Sequence, residues 1–71
     1  MTVLGTCRYE FRVAEQLSAS ARGAFPELTI TEDAAATVLF GSVRDDAELH
    51  GILARLHLLG LTILDIHRLH D

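Results

Sequence analysis

Along CRYEFRVAEQL the chain alternates. Tyr9, Phe11 and Val13 fall on one side, and Arg8, Glu10 and Arg12 on the other. Period two with aromatic and branched residues predicts a half-buried strand. SASARGAFP follows, with Ser18 placed as an N-cap, an apolar stripe of Ala21, Ala24 and Phe25, and Pro26 as a stop, which predicts a short helix. Leu28–Thr31 and Ala36–Val43 are two further strand-like runs. The EDAA between them holds an acidic pair and small residues and reads as a hairpin turn. DDAELHGILARLHLLG carries the strongest pattern. Leu49, Ile52, Leu53, Leu56 and Leu59 recur at helical spacing after an Asp45-x-x-Glu48 cap, and Gly60 stands where a helix ends. LTILDIHRL closes the chain as a strand, with Leu64 and Ile66 expected on the core side and Ile63, Asp65 and His67 on the other.

The order strand, helix, strand, strand, helix, strand predicts an α+β, ferredoxin-like βαββαβ domain spanning 1–71. Right-handed crossovers put both helices on one face of a four-stranded antiparallel sheet of order 4-1-3-2. The expected core is Tyr9, Phe11, Val13, Leu17, Phe25, Leu28, Ile30, Leu39, Leu49, Ile52, Leu53, Leu56, Leu64 and Ile66. The other face stays uncovered. Because VLF (38–40) is apolar on both sides, either register of that strand leaves apolar groups outside: Val38 and Phe40, or Leu39 and Val43.

Composition sharpens this picture. Hydrophobic residues make up 49% of 71 and the mean hydropathy is +0.28. A chain this short buries only about 60% of its unfolded surface, so apolar residues must reach the outside, where they favour association. The net charge is −4 and all six basic residues are arginines, dispersed along the chain. That balance opposes nucleic-acid capture, which needs a basic footprint. Lack of lysine excludes Schiff-base chemistry and a P-loop. A single cysteine, Cys7, excludes an internal disulfide and suits a reducing compartment. No apolar run reaches transmembrane length and no signal-peptide pattern opens the chain. A soluble, cytoplasmic protein is expected.

AFPEL (24–28), TVLFG (37–41) and DDAELHGILARLHLLGLTILDIHRL (45–69) carry a resemblance. With Leu49-His50-Gly51 and Leu59-Gly60-Leu61 as its most specific parts, the chain is similar to a group of small actinobacterial proteins of about this length. That resemblance implies the ferredoxin-like fold and no activity. The chain departs from the group at Phe40, where a polar or charged residue is usual, and at His67, where arginine is usual.

The candidate chemistry is sparse. His50 and His57 are seven apart on the predicted helix, about 20° apart around its axis and roughly 10.5 Å apart along it, too far for one metal. They flank the apolar stripe and could serve at most as a pH-sensitive contact. Cys7, His67 and His70 are brought together if the first and last strands are antiparallel neighbours, with Asp65 and Asp71 beside them; these are competent zinc or copper ligands. But His67 and His70 point to opposite faces of a strand, so no metal or other cofactor is expected. Phe40 and the outward arginines match the stacking positions of RNA-recognition sheets, without the signature or the charge. No serine stands in a nucleophile elbow, and catalysis is not expected.

The function expected is therefore a small non-catalytic protein-binding or assembly module. It homodimerises or binds a protein partner through the open sheet face or an edge strand, with Arg8, Arg12, Val38, Phe40, Ile63 and the off-stripe Leu58 at the contact. The alternative is an ACT-like regulatory domain that holds a small metabolite at a dimer interface.

Overall fold

The computed structural model describes residues 7–69. Along them run β1 (Cys7–Val13), α1 (Ala19–Gly23), β2 (Thr29–Glu32), β3 (Thr37–Val43), α2 (Asp46–Leu58) and β4 (Ile63–Leu69). The strands form one antiparallel sheet in the order β2-β3-β1-β4. This is the expected 4-1-3-2 order read from the other edge.

Directly opposed residues share a face of the sheet, so the register assigns each side chain. Phe11 opposes Leu39, Val13 opposes Thr37 and Cys7 opposes Val43 on β3. Ile30 of β2 opposes Leu39. These residues look toward the helices. Arg8, Glu10 and Arg12 fall on the other face with Ser42, Phe40 and Val38, so β3 takes the register that sends Val38 and Phe40 outward. Gly41 bears on that choice. It opposes Tyr9 on the inner face, and a Cβ there would lie 2.9 Å from Leu28 Cδ2 and 3.2 Å from the Glu27 carbonyl oxygen. The missing side chain is what lets the β2 entry pack down onto β3.

One hydrophobic cluster joins the layers. Phe11, Val13, Leu39 and Val43 of the sheet meet Ala21 and the following Phe25 from the α1 side, and Ile52 and Leu56 from α2. Phe11, Leu39, Ile52 and Leu56 have no accessible surface, and each such side chain contributes about 1.5–3 kcal/mol by leaving water. Thr37 is the one polar residue buried with them among the described residues. Its hydroxyl donates to the Glu15 carbonyl at 2.8 Å, as burial of a polar group demands.

The helices begin and end as their sequences dictate. Ser18 Oγ accepts from the Ala21 N–H at 3.1 Å, though a five-residue helix is far below the length that stands alone in water. Asp45 Oδ1 accepts from the Glu48 N–H at 2.9 Å. The Glu48 carboxylate reaches back to the Arg44 N–H, one residue before the position a strict capping box uses. At the other end Gly60 has φ +75°. Its N–H donates to His57 O, and the Leu61 N–H donates to Leu56 O. This is the Schellman closure, with Leu61 packed on the core. Leu59, placed on the helical stripe by spacing, is 44% exposed because it is already the cap residue. Arg55 bridges from α2 to the α1–β2 connection: it donates to Ala24 O, pairs with Glu27 and lies 5.0 Å over the Phe25 ring.

The last strand corrects three expectations. Ile63, expected outside, opposes Val13 and packs against the core. Leu64, expected inside, is 54% exposed. Ile66 does share the Phe11 face but is still 39% exposed. The cause is a register shift between Arg12 and Val13. Across it Asp65 opposes Arg12 and Ile63 opposes Val13, so Leu64 is an extra residue, a β-bulge. Ile63 and Ile66, three apart, therefore both face the helices, and strict alternation fails.

The tight contact behind β3 sets an expected outcome. Gly41→Ala should lower stability by about 1–3 kcal/mol, as overpacking against a backbone carbonyl does. Gly23→Ala, where a Cβ meets nothing within 4 Å, should not. Urea midpoints of the two variants check the difference.

Candidate functional site

Among the described residues no element lies over the outer face of the sheet, so its chemistry can be read row by row. One row runs Thr29, Phe40, Glu10, His67; the next runs Thr31, Val38, Arg12, Asp65. A carboxylate therefore meets an imidazole directly at Glu10–His67 and a guanidinium at Arg12–Asp65, complementary cross-strand pairs. Along β4 itself His67 Nε2 and Asp65 Oδ2 are 2.8 Å apart. The half of the face over β1 and β4 is thus a polar lattice.

The apolar half is less exposed than its sequence implies. Val38 is 8% exposed although no helix covers it. Its cross-strand neighbours are Arg12 of β1 and Thr31 of β2, and the charge of Arg12 also acts on Asp33 in the β2–β3 turn. Asp33 is held below the usual carboxylate range mainly because its side chain accepts the Ala35 and Ala36 N–H groups. Phe40 is half-buried between Thr29 and Glu10. Arg8 and Arg12 lie on the outer face with Val38 and Phe40, the first of the two registers open to β3, but they do not form an open apolar patch. Ile63 is on the other face and drops out of that group.

Exposed apolar surface is found instead at the β4 edge, on Leu64 and Ile66, and at the end of α2, where Leu58 is 85% exposed. Five consecutive β4 residues, Leu64–Arg68, are exposed. The opposite edge, β2, is four residues long, and Glu32 within it is paired with Arg22. A hydrogen-bonded clamp fixes where β4 starts. The Glu15 carboxylate accepts from the Thr62 N–H and from the Thr62 hydroxyl, both at 2.7 Å, and the Ala14 N–H donates to Thr62 O at 3.0 Å. The Thr62 N–H, then its hydroxyl, hold the Glu15 carboxyl below its ordinary value of 4.5. Sequence reasoning missed both the bulge and the clamp. The spacing of Ile63 and Ile66 by three on a strand was the available signal for the first.

The metal candidates do not assemble. Cys7 opposes Val43 on the helix side, whereas His67 opposes Glu10 on the outer face; His70 and Asp71 lie outside the described residues. No cluster of three ligating side chains occurs among the described residues. His50 and His57 are exposed on α2. Cys7 instead lines a cavity of about 180 Å³ with Tyr9, Arg44, Asp45, Asp46 and Arg68. Its polar lining is partly committed, since Asp45 caps α2 and Arg44 pairs with Glu48. No helix among the described residues is long and apolar enough to cross a membrane.

Residues 8–67 match a family described as a domain of unknown function, DUF8691. No curated protein and no solved structure matches the chain.

The clamp has a pH signature. A carboxyl whose folded pKa is lowered contributes stability above its unfolded pKa, and that contribution is lost as pH falls through the folded value. Glu15→Gln should therefore melt below wild type at pH 7, and the gap should close as pH drops well under 4.5. Melting curves from pH 7 to pH 3 check this, and a gap that stays constant would remove the carboxylate from the account.

Proposed function

The chain belongs to the DUF8691 family, and we propose that it acts as a small non-catalytic assembly module that binds through the β4 edge. One observation carries the reading: β4 is a seven-residue edge strand with five consecutive exposed positions, Leu64–Arg68, two of them large and apolar. Unpaired edge strands of this length template association unless they are short or covered, and an added strand is a common mode of recognition. The other edge is short. The open face contributes Arg8 and Arg12 as a polar border, while Phe40 lies on β3, beyond β1 from the edge, and Val38 is too enclosed to anchor a partner. Leu58 offers a second apolar contact.

A metabolite-binding, ACT-like role is the second reading. The cavity beside β4 favours it, because Arg68 reaches that cavity from the edge strand. Its volume is below the roughly 300–1,000 Å³ of most ligand sites, which places it behind assembly. A rise in melting temperature with free amino acids, lost in Arg68→Ala, would reverse that order.

Light scattering separates edge from face. Wild type should show a concentration-dependent dimer. Ile66→Lys should be a folded monomer, and Phe40→Glu should dimerise nearly as wild type does. Dimer loss in Phe40→Glu alone would move the contact to the face. A wild-type monomer at every concentration would overturn self-assembly.

A further inference from the structure

We infer that the β4 edge is complementary to itself and that its partner is a second copy of this chain, paired antiparallel about Ile66. The inference deepens the assembly reading and rests on it. The backbone is the first support. The Ala14 N–H donates to Thr62 O, and alternate residues of a strand direct their backbone groups to the same side. Arg8, Glu10 and Arg12 therefore bond toward β4, and their partners Leu69, His67 and Asp65 turn inward to meet them. The N–H and C=O of Ile66 and Arg68 point away from β1, to the side where no strand lies among the described residues. A twofold axis through Ile66 lets each Ile66 donate to the Ile66 of the other copy and accept from it. Both Ile66 side chains then lie on the helix side, next to one another, which covers surface that is 39% exposed in the single chain.

Charge is the second support. About this axis Asp65 of each copy opposes His67 of the other. Within one strand the same two side chains are already 2.8 Å apart. The four groups close into a ring on the outer face in which acid and imidazole alternate. Neighbouring registers lack this match. Moving the axis one residue either way sets Asp65 against Asp65 or His67 against His67. Moving it two residues on sets Arg68 against Arg68. The Ile66 centre instead sets Asp65 opposite His67 twice and leaves Arg68 opposite an uncharged residue, Leu64. The two copies bury the same patch, as a twofold interface requires. The result is one continuous eight-stranded sheet.

A contact this narrow belongs to the small class of interfaces, under about 1,200 Å², so the dimer should be weak and should be followed by sedimentation up to roughly 1 mM. Asp65→Arg sets arginine against histidine, and His67→Asp sets carboxylate against carboxylate. Each variant alone should weaken dimerisation by about tenfold or more, because the Asp65–His67 cross-strand match is lost at two places. An equimolar mixture of the two should form a heterodimer near wild-type strength, and so should the double variant Asp65→Arg/His67→Asp. Ile66→Pro, which removes an N–H that β1 does not use, should be a folded monomer by circular dichroism. Single variants that weaken the dimer without rescue in the mixture would overturn the register. A dimer indifferent to all β4 variants yet lost in Phe40→Glu would overturn the edge while leaving assembly intact. A wild-type monomer up to 1 mM would overturn both.

Discussion

The cross-strand contact of Phe11 with Leu39 is the point on which the domain turns. Both are fully buried on the two central strands, and both helices can reach the sheet only by packing against that pair and its neighbours. With one core and 71 residues, no second cluster can substitute for it. The pairing also decides what faces outward. Once Leu39 is inside, Val38 and Phe40 must be outside, and Gly41 must be inside, where its bareness admits Leu28.

An open sheet face built on a hydrophobic chain is a hazard, and the local chemistry contains it. Arg12 lies beside Val38, while Glu10 faces His67 and Arg12 faces Asp65 across the strands. The apolar excess is moved to the boundary, onto β4 and the end of α2. The same economy separates the two edges: β2 is short and carries an ion pair, and β4 is long, with Asp65, His67 and Arg68 among its five consecutive exposed residues. The family match extends over most of the described residues without assigning a role, so the functional weight rests on this asymmetry.

Most of the fold is legible in the sequence because its signals are local. Asp45, Glu48 and Gly60 state the limits of α2, Ser18 and Pro26 those of α1, and the alternation of Tyr9, Phe11 and Val13 states which way β1 faces. The expected interaction residues fared less evenly. Arg8 and Arg12 lie where alternation puts them and Phe40 in one of its two open registers, but the enclosure of Val38 depends on neighbours from other strands, which no single segment encodes. Ile63 and Leu64 exchanged places because one inserted residue inverts a period-two reading from that point back. Cys7 and His67 are close along the strand order but separated by the thickness of the sheet, since facing depends on the parity of a register that sequence alone does not set. The Glu15–Thr62 clamp joins residues 47 apart and leaves no local trace.

The bulge at Leu64 also makes chain length negotiable at one point. Without Leu64, Ile63 would still face the helices, Asp65 would still face out, and every later β4 residue would keep its side by ordinary alternation. An insertion or deletion elsewhere in a strand flips all that follows; here it changes only twist and the reach of the loop from α2. Shorter relatives of this chain can therefore exist with the same inner and outer faces. A gap at this position in a comparison of such sequences would mark a change in how the edge coils, with the core left as it was.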